Sequence, residues 1–415
     1  MTASPQTTGK TDALAGIRVL DFSTVVAGPF CGRMLADAGA EVIKVESPPA
    51  GDPSRNLPYI KQGLSGYFTQ QNAGKRSLCL DLKRPQGLAI IRQLVPQVDI
   101  VLENFRPGVM ARLGLDYATL HGLNPRLIFC SISGFGQTGP NRQRRAFAGV
   151  VHAAAGVTEI LRRAHGEDTP PGSLGMALAD TYTGLYAFAA VNLALYHRQV
   201  SGQGQWLDIA LFDAIFSVID YQVAYYTLSG QEPPAAFGAR PFKGTGGYLT
   251  IGIGSPAPIK RALEIICPEE HHTLFATYFA TGELMAQNYQ RFQALVEAWL
   301  QRFDNVDEPE RILAEAGVAV SKVKRVSEAV DSSQVQARGL LAEIEDPRLG
   351  PIKVMNSPLK FSAIASQVRG PAPWLGEHNQ EILRRLLGYS AQQVAELEAQ
   401  GVLYCEAPSR DQPSP

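Results

Sequence analysis

Short apolar runs alternating with helical periodicity fill about the first 130 residues, and this constrains the fold more than any other feature of the chain. Ile17–Phe22 reads as a strand, and Pro29–Ala38 as a helix with Phe30, Met34 and Leu35 on one face. Glu41–Glu46 is the next strand. Ser77–Leu82, a helix opened by Pro85 and carrying Leu88, Ile90, Ile91 and Leu94, and then Val98–Leu102 repeat the unit. Strands linked by helices must run parallel with both faces covered, so the fold class is α/β. At 415 residues the chain exceeds one typical core, and roughly two domains are expected.

Beyond these units Tyr182–Tyr196 reads as an apolar helix, Ser201–Gly204 as a turn, Gln205–Leu211 as a strand and Phe212–Leu228 as one long helix. A break at Ser229–Pro234 suggests a domain boundary. After it come a glycine-rich strand, K-G-T-G-G-Y-L-T-I-G-I-G, and helices to about Ala316. Val318–Val323, Leu340–Ile344 and Ile352–Val354 read as strands returning to a domain, followed by amphipathic helices at Asn379–Leu387 and Ala391–Gln400. The expected division is a large domain over 13–225, a small one over 226–325, a return linker and C-terminal part of the large domain over 326–400, and a flexible tail over 401–415.

Gly134-x-Gly136-x-x-Gly139 follows the apolar run Leu127–Ser133 and spells a dinucleotide fingerprint. That fingerprint needs a helix at its last glycine, because helix amides hold the pyrophosphate, and an acid about 20 residues later. Here Pro140–Arg145 is polar and basic without apolar period, and the nearest later acid, Glu159, does not end a strand. The glycines therefore read as turn formers.

Several function classes fall away. A net charge of −1 offers no general attraction to nucleic acid or anionic membrane. The longest apolar run, Gly184–Tyr196, is too short to span a bilayer. The polar N-terminus lacks a signal core, and five cysteines without C-x-x-C spacing suit a reducing compartment, so a cytoplasmic protein is expected. His271 and His272 are adjacent and diverge on a helix, so no metal site is expected. No G-x-S-x-G elbow is present.

Two features suggest chemistry. Lys75, Arg76, Lys83, Arg84, Arg106, Arg112, Arg142, Arg144 and Arg145 fall at or near strand ends, where open α/β sheets take ligands. They suit a phosphate-rich molecule, although charge alone favours a solvated surface. Asp180 precedes the apolar helix, a position that reads first as an N-cap. The helix field also favours an ionised carboxylate there, and such a group beside small residues is able to attack an activated acyl carbon.

The chain resembles the class III CoA-transferases, the family of formyl-CoA, carnitine-related and succinyl-CoA-dependent transferases and the 2-methylacyl-CoA racemases. The resemblance runs from about Leu14 to Leu387 through L-A-G-I-R-V-L-D-F-S-T-V-V-A-G-P, L-A-D-A-G-A-E-V-I-K-V-E, N-A-G-K-R-S-L-C-L-D-L, E-N-F-R-P-G-V-M-A-R-L-G, L-A-D-T-Y-T-G and S-G-Q-G-Q-W-L-D-I-A-L-F-D. It implies an interlocked homodimer, each chain having a Rossmann-like large domain and a smaller inserted α+β domain. It implies coenzyme A thioester as substrate and no permanently bound cofactor. Carried over by position, coenzyme A contacts fall on Val25, Val26, Leu80, Lys83, Asn104, Phe105, Arg106, Arg112 and Arg145, and the nucleophile on Asp180.

The implied reaction moves coenzyme A between carboxylic acids through an aspartyl anhydride and an enzyme–CoA thioester. The racemases of the family carry a His-Asp pair where this chain has Phe147-Ala148. Its formyl-CoA members carry His-Val-Gln where this chain has Thr24-Val25-Val26, and a glycine run that Lys243–Gly247 only partly matches. Arg145–Ala148 with His152-Ala153 looks more like members that take coenzyme A from succinyl-CoA to dicarboxylates. A racemase and a non-catalytic CoA-binding paralogue are the alternatives.

Overall fold

The computed structural model describes residues 11–165, 169–233 and 240–406; of the tail expected over 401–415, residues 407–415 lie outside them, as does the polar N-terminus to residue 10, whereas Val402 and Leu403 are buried in the core. The described chain divides into two compact units. Among the described residues, one comprises 11–155, 174–219 and 336–406, and the other 156–165, 169–173, 220–233 and 240–335.

The first unit is built on a six-stranded sheet. Its strands are β1 (Arg18–Asp21), β2 (Glu41–Glu46), β3 (Arg76–Cys79), β4 (Ile100–Glu103), β5 (Ile128–Ser133) and β6 (Trp206–Ala210). Every pair is parallel, and the order is β3-β2-β1-β4-β5-β6, the doubly wound arrangement. β4 and β5 are buried along their whole length, as expected of strands covered on both faces.

The helices that position the site are α1 (Ala27–Asp37), α2 (Gly66–Asn72), α3 (Pro85–Leu94), α4 (Ala148–Ala154), α5 (Leu178–Ser201) and α6 (Leu211–Phe216). Ile90, Ile91 and Leu94 of α3 pack with Leu20, Ile43, Leu78 and Val101 of the sheet and with Ile382, Leu383 and Leu403 from the chain's other end. Each such side chain, when fully buried, contributes roughly 1.5–3 kcal/mol. The C-terminal segment thus completes the core begun by the N-terminal strands.

One local expectation changes. The stretch Phe212–Leu228 is not one helix: α6 ends at Phe216, a 3-10 turn follows at Ser217–Ile219, and a separate helix runs Asp220–Ser229. The division between the units falls at that turn. Leu341–Asp346 and Gly350–Met355 pair with each other in a two-stranded antiparallel sheet and do not join the main one.

The second unit has a three-stranded antiparallel sheet, β7 (Phe242–Gly244), β8 (Gly247–Ile251) and β9 (Val320–Lys322). Phe242, Leu249, Ile251, Phe279, Phe292, Val296 and Leu300 form its core. Lys243–Gly247 is the β7–β8 hairpin turn, with Gly246 at φ 71°.

Candidate active site

Strand order reverses between β1 and β4, and open α/β sheets bind ligands outside the carboxyl ends of their strands at such a point. The loop leaving β1 carries Thr24, Val25 and Val26, and the loop leaving β4 carries Asn104, Phe105 and Arg106. Asn104 binds the two loops together: its Oδ1 accepts from Thr24 N at 2.8 Å, and its Nδ2 donates to Thr24 O at 2.8 Å.

Val25 has φ 67°, the left-handed region that a β-branched residue avoids at a cost on the order of 1–3 kcal/mol. The structure holds it there. Val25 N donates to Asp52 Oδ1 at 3.1 Å, and Lys44 Nζ pairs with Asp52 Oδ2 at 2.8 Å with both side chains fully buried. Lys44 also donates to Ser23 O at 2.8 Å. Burial pushes the Asp52 carboxyl up, but Lys44 and the Ser54 hydrogen bonds prevail and hold it at about 2. A second buried pair lies beneath. Lys75 Nζ meets Asp21 Oδ2 at 2.8 Å, and burial brings Lys75 down to about 8 despite the Asp21 charge.

Asp180 lies in the first turn of α5, but it is not the N-cap; that position is Ala177, which has no side-chain acceptor. Burial raises the Asp180 carboxyl to about 6, with its own backbone amide the one opposing influence. Desolvation therefore outweighs the helix field, although the group is still mostly ionised at neutral pH. Among the described residues no cation pairs with it. Tyr67 of α2 is close enough that, after burial, the Asp180 charge is what raises its phenol.

Gly184, one turn along α5, explains how Asp180 reaches the β1 loop. A Cβ there would stand 2.6 Å from Ala27 O and 2.8 Å from Phe30, so α5 and α1 touch at backbone distance. Residues four apart share a helix face. Asp180 therefore projects on the side of α5 that meets the first turn of α1, directly after Val26.

The structure thus brings Val25, Val26, Asn104 and Asp180 to one end of the sheet. Phe105 is half-buried, its amide donating to Glu103 Oε2 at 2.8 Å. Arg106 borders a cavity of about 290 Å³ lined by Glu103, Met110, Tyr117, Phe129 and Trp206. Burial lifts Glu103 to about 7 against hydrogen bonds from Ser131 and the Phe105 amide. Lys83, Arg112 and Arg145 are exposed in the connections after β3, β4 and β5 and, among the described residues, have no carboxylate partner. Leu80 differs: the whole residue is buried in the core, and its amide donates to Glu46 O at 3.0 Å.

The glycines of residues 134–139 behave as turn formers. Gly136 and Gly139 have φ 83° and 81°, and a Cβ on Gly134 would stand 2.3 Å from that of Ala146. No helix opens there; the next is α4. His271 begins an exposed helix, and among the described residues no group of three or more His, Cys, Asp or Glu is disposed to hold a metal ion. No described helix is long and apolar enough to cross a membrane.

Sequence reasoning did not find Asp52 and Lys44, Tyr67, or the bond His152 makes. Lys44 sits inside an apolar strand, which is an anomaly visible in E-V-I-K-V-E, but its partner is not readable from spacing.

The known proteins that the chain resembles agree on one family. The model of CoA-transferase family III matches residues 14–379. The chain is 34% identical to succinyl-CoA–D-citramalate CoA-transferase of Chloroflexus aurantiacus, over 94% of this chain and 98% of that one. It is 34% identical to succinate–glutarate CoA-transferase of Agrobacterium fabrum, over 90% and 95%. A crystal structure of a CAIB/BAIF family protein from Brucella suis superposes with a TM-score of 0.80 at 31% identity, covering 91% of this chain and 100% of that one. With the family model spanning most of its length, this chain belongs to CoA-transferase family III and is an enzyme of that class.

Proposed function

We propose that the protein transfers coenzyme A from succinyl-CoA to a dicarboxylic acid, with Asp180 as nucleophile. The observation that carries this reading is the Asp180 carboxyl: desolvated, without a counter-ion among the described residues, and on the α5 face that meets the β1 loop. Such a carboxylate is not stabilised by a neighbouring charge, so its lone pair is available to an acyl carbon. The donor and acceptor follow relatives named for succinyl-CoA with citramalate and for succinate with glutarate.

An Asp180 oxygen attacks the thioester carbon, the C–S bond breaks, and coenzyme A leaves as thiolate, giving a mixed anhydride. The thiolate then attacks the Asp180 carbonyl carbon and expels succinate, leaving an enzyme thioester. The acceptor carboxylate attacks that carbon and displaces thiolate, and thiolate attack on the acceptor's acyl carbon frees Asp180. No proton is gained or lost across the cycle. The covalent relay conserves the thioester energy that hydrolysis would dissipate.

Coenzyme A contacts at Val25, Val26, Lys83, Asn104, Phe105, Arg106, Arg112 and Arg145 belong to the same proposal; Leu80, wholly buried, lies outside it. Their support is the preformed β1–β4 junction and the cations around it that have no carboxylate partner among the described residues. A homodimer is part of it too. Leu193, Tyr196 and Val200 of α5 are 71%, 70% and 77% exposed, an apolar row that a second chain would cover. Cys31, Cys79 and Cys130 are buried thiols, which suit a cytoplasmic setting.

The test is exchange of labelled dicarboxylic acids with succinyl-CoA by the wild type, Asp180→Ala and Asp180→Asn. Wild-type exchange abolished in both variants is the expected result. Transfer persisting in Asp180→Ala would remove Asp180 from the reaction.

A further inference from the structure

His152 is 3% exposed within α4, and its Nε2 lies 3.1 Å from the backbone N of Ala179. Ala179 is the second residue of α5 and directly precedes Asp180. A ring nitrogen that accepts a hydrogen bond carries no proton, so this imidazole is neutral with its hydrogen on Nδ1. Burial acts the same way, lowering the His152 pKa.

The first amides of a helix have no partner within it, and a Ser, Thr, Asp or Asn at the N-cap usually supplies one. Ala177 at that position has no such side chain. The donors of this turn are instead shared out. Ala179 N goes to His152, Asp180 N to its own carboxylate, and Thr181 N to Ala177 O at 3.0 Å, where the helical ladder begins.

Resting on the assignment of Asp180 made above, we propose that His152 is the positioning residue of the nucleophile, capping α5 from a neighbouring helix and fixing the turn from which the carboxylate projects. A neutral acceptor suits this place. It satisfies the amide without setting a cation beside Asp180, which would pair with the carboxylate and weaken its attack. A carboxylate cap would add a like charge to the site. The imidazole does neither.

The experiment compares the full chain with His152→Leu, which removes the acceptor, and His152→Gln, whose Oε1 is able to replace it. Steady-state kinetics with succinyl-CoA and hydrogen–deuterium exchange over Ala177–Thr181 are both read. In His152→Leu, kcat is expected to fall about 10- to 100-fold, as misplacement of a reacting group does. KM for succinyl-CoA should stay within about twofold and exchange at Ala179 should quicken, while His152→Gln restores most of kcat and protection.

Wild-type kcat in a folded His152→Leu overturns the proposal, as does a His152→Gln variant as impaired as His152→Leu. Should His152→Leu not fold, His152→Asn, too short to reach Ala179, takes its place with the same expectation. Asp180→Ala in the same assay separates the two assignments. If it remains active, the nucleophile is misassigned, while the exchange data and the glutamine rescue still report whether His152 holds the end of α5.

Discussion

Asn104 and Thr24 hold each other through opposed hydrogen bonds, both 2.8 Å long, across the point where strand order reverses. Neither loop keeps its shape without the other. Asn104→Ala removes both bonds and leaves Thr24 N without its partner, a loss on the order of 1–3 kcal/mol. Coenzyme A affinity, measured by calorimetry, is expected to weaken about tenfold with the fold intact. Unchanged affinity would show that coenzyme A does not depend on this junction.

Acid should inactivate transfer through Asp180. Burial raises its carboxyl to about 6, and a nucleophile must be ionised to attack, so with Asp180 in that role activity is expected above that pH and lost below it. kcat/KM is expected to fall about tenfold per pH unit below the midpoint. A succinyl-pantetheine thioester, which has no phosphate, keeps phosphate titration out of the profile. A flat profile from pH 5 to 8 would contradict the assignment.

The same carboxyl should make the protein less stable than it could be. A carboxyl pKa raised from 3.8 to about 6 means that the folded state disfavours the charge, with the penalty growing between those values and complete above them. Asp180→Asn removes it. At pH 8 this variant should unfold later in urea, by roughly 1–2 kcal/mol, while losing transfer. Equal stability at pH 8 would mean that Asp180 is better solvated than the structure indicates.

Asp52 should act in the opposite sense. Its carboxyl lies below its ordinary 3.8, so its stabilising contribution is full above that value and fades as pH falls toward 2. Asp52→Ala strands Lys44, whose side chain is fully buried, and releases Val25 N. A loss of about 3–5 kcal/mol in thermal or chemical unfolding is expected, as for other broken buried pairs. A loss under about 1 kcal/mol would show that Lys44 finds water or another partner.

The sheet was legible because parallel strands buried on both faces leave continuous apolar runs, and Ile128–Ser133 or Ile100–Glu103 hardly read otherwise. The break at Ser217–Ile219 left no mark, since no Gly or Pro interrupts the apolar helix around it. At the site, Asp180 was singled out as a nucleophile through family resemblance, whereas local pattern alone pointed to an N-cap. The φ of Val25 could not be foreseen, because a β-branched residue argues against the conformation that Asp52 and Asn104 impose around it. His152 looked like an isolated histidine because the amide it caps is 27 positions away. Contacts set by tertiary packing leave no period in the sequence.

The covalent role of Asp180 is tested most directly by trapping. The wild type is incubated with succinyl-CoA, the acyl-enzyme is cleaved with hydroxylamine, and the digested peptides are weighed by mass spectrometry. The expected result is a hydroxamate at Asp180 that requires the acyl-CoA. A hydroxamate at another residue, or none while the enzyme is transferring coenzyme A, would contradict it.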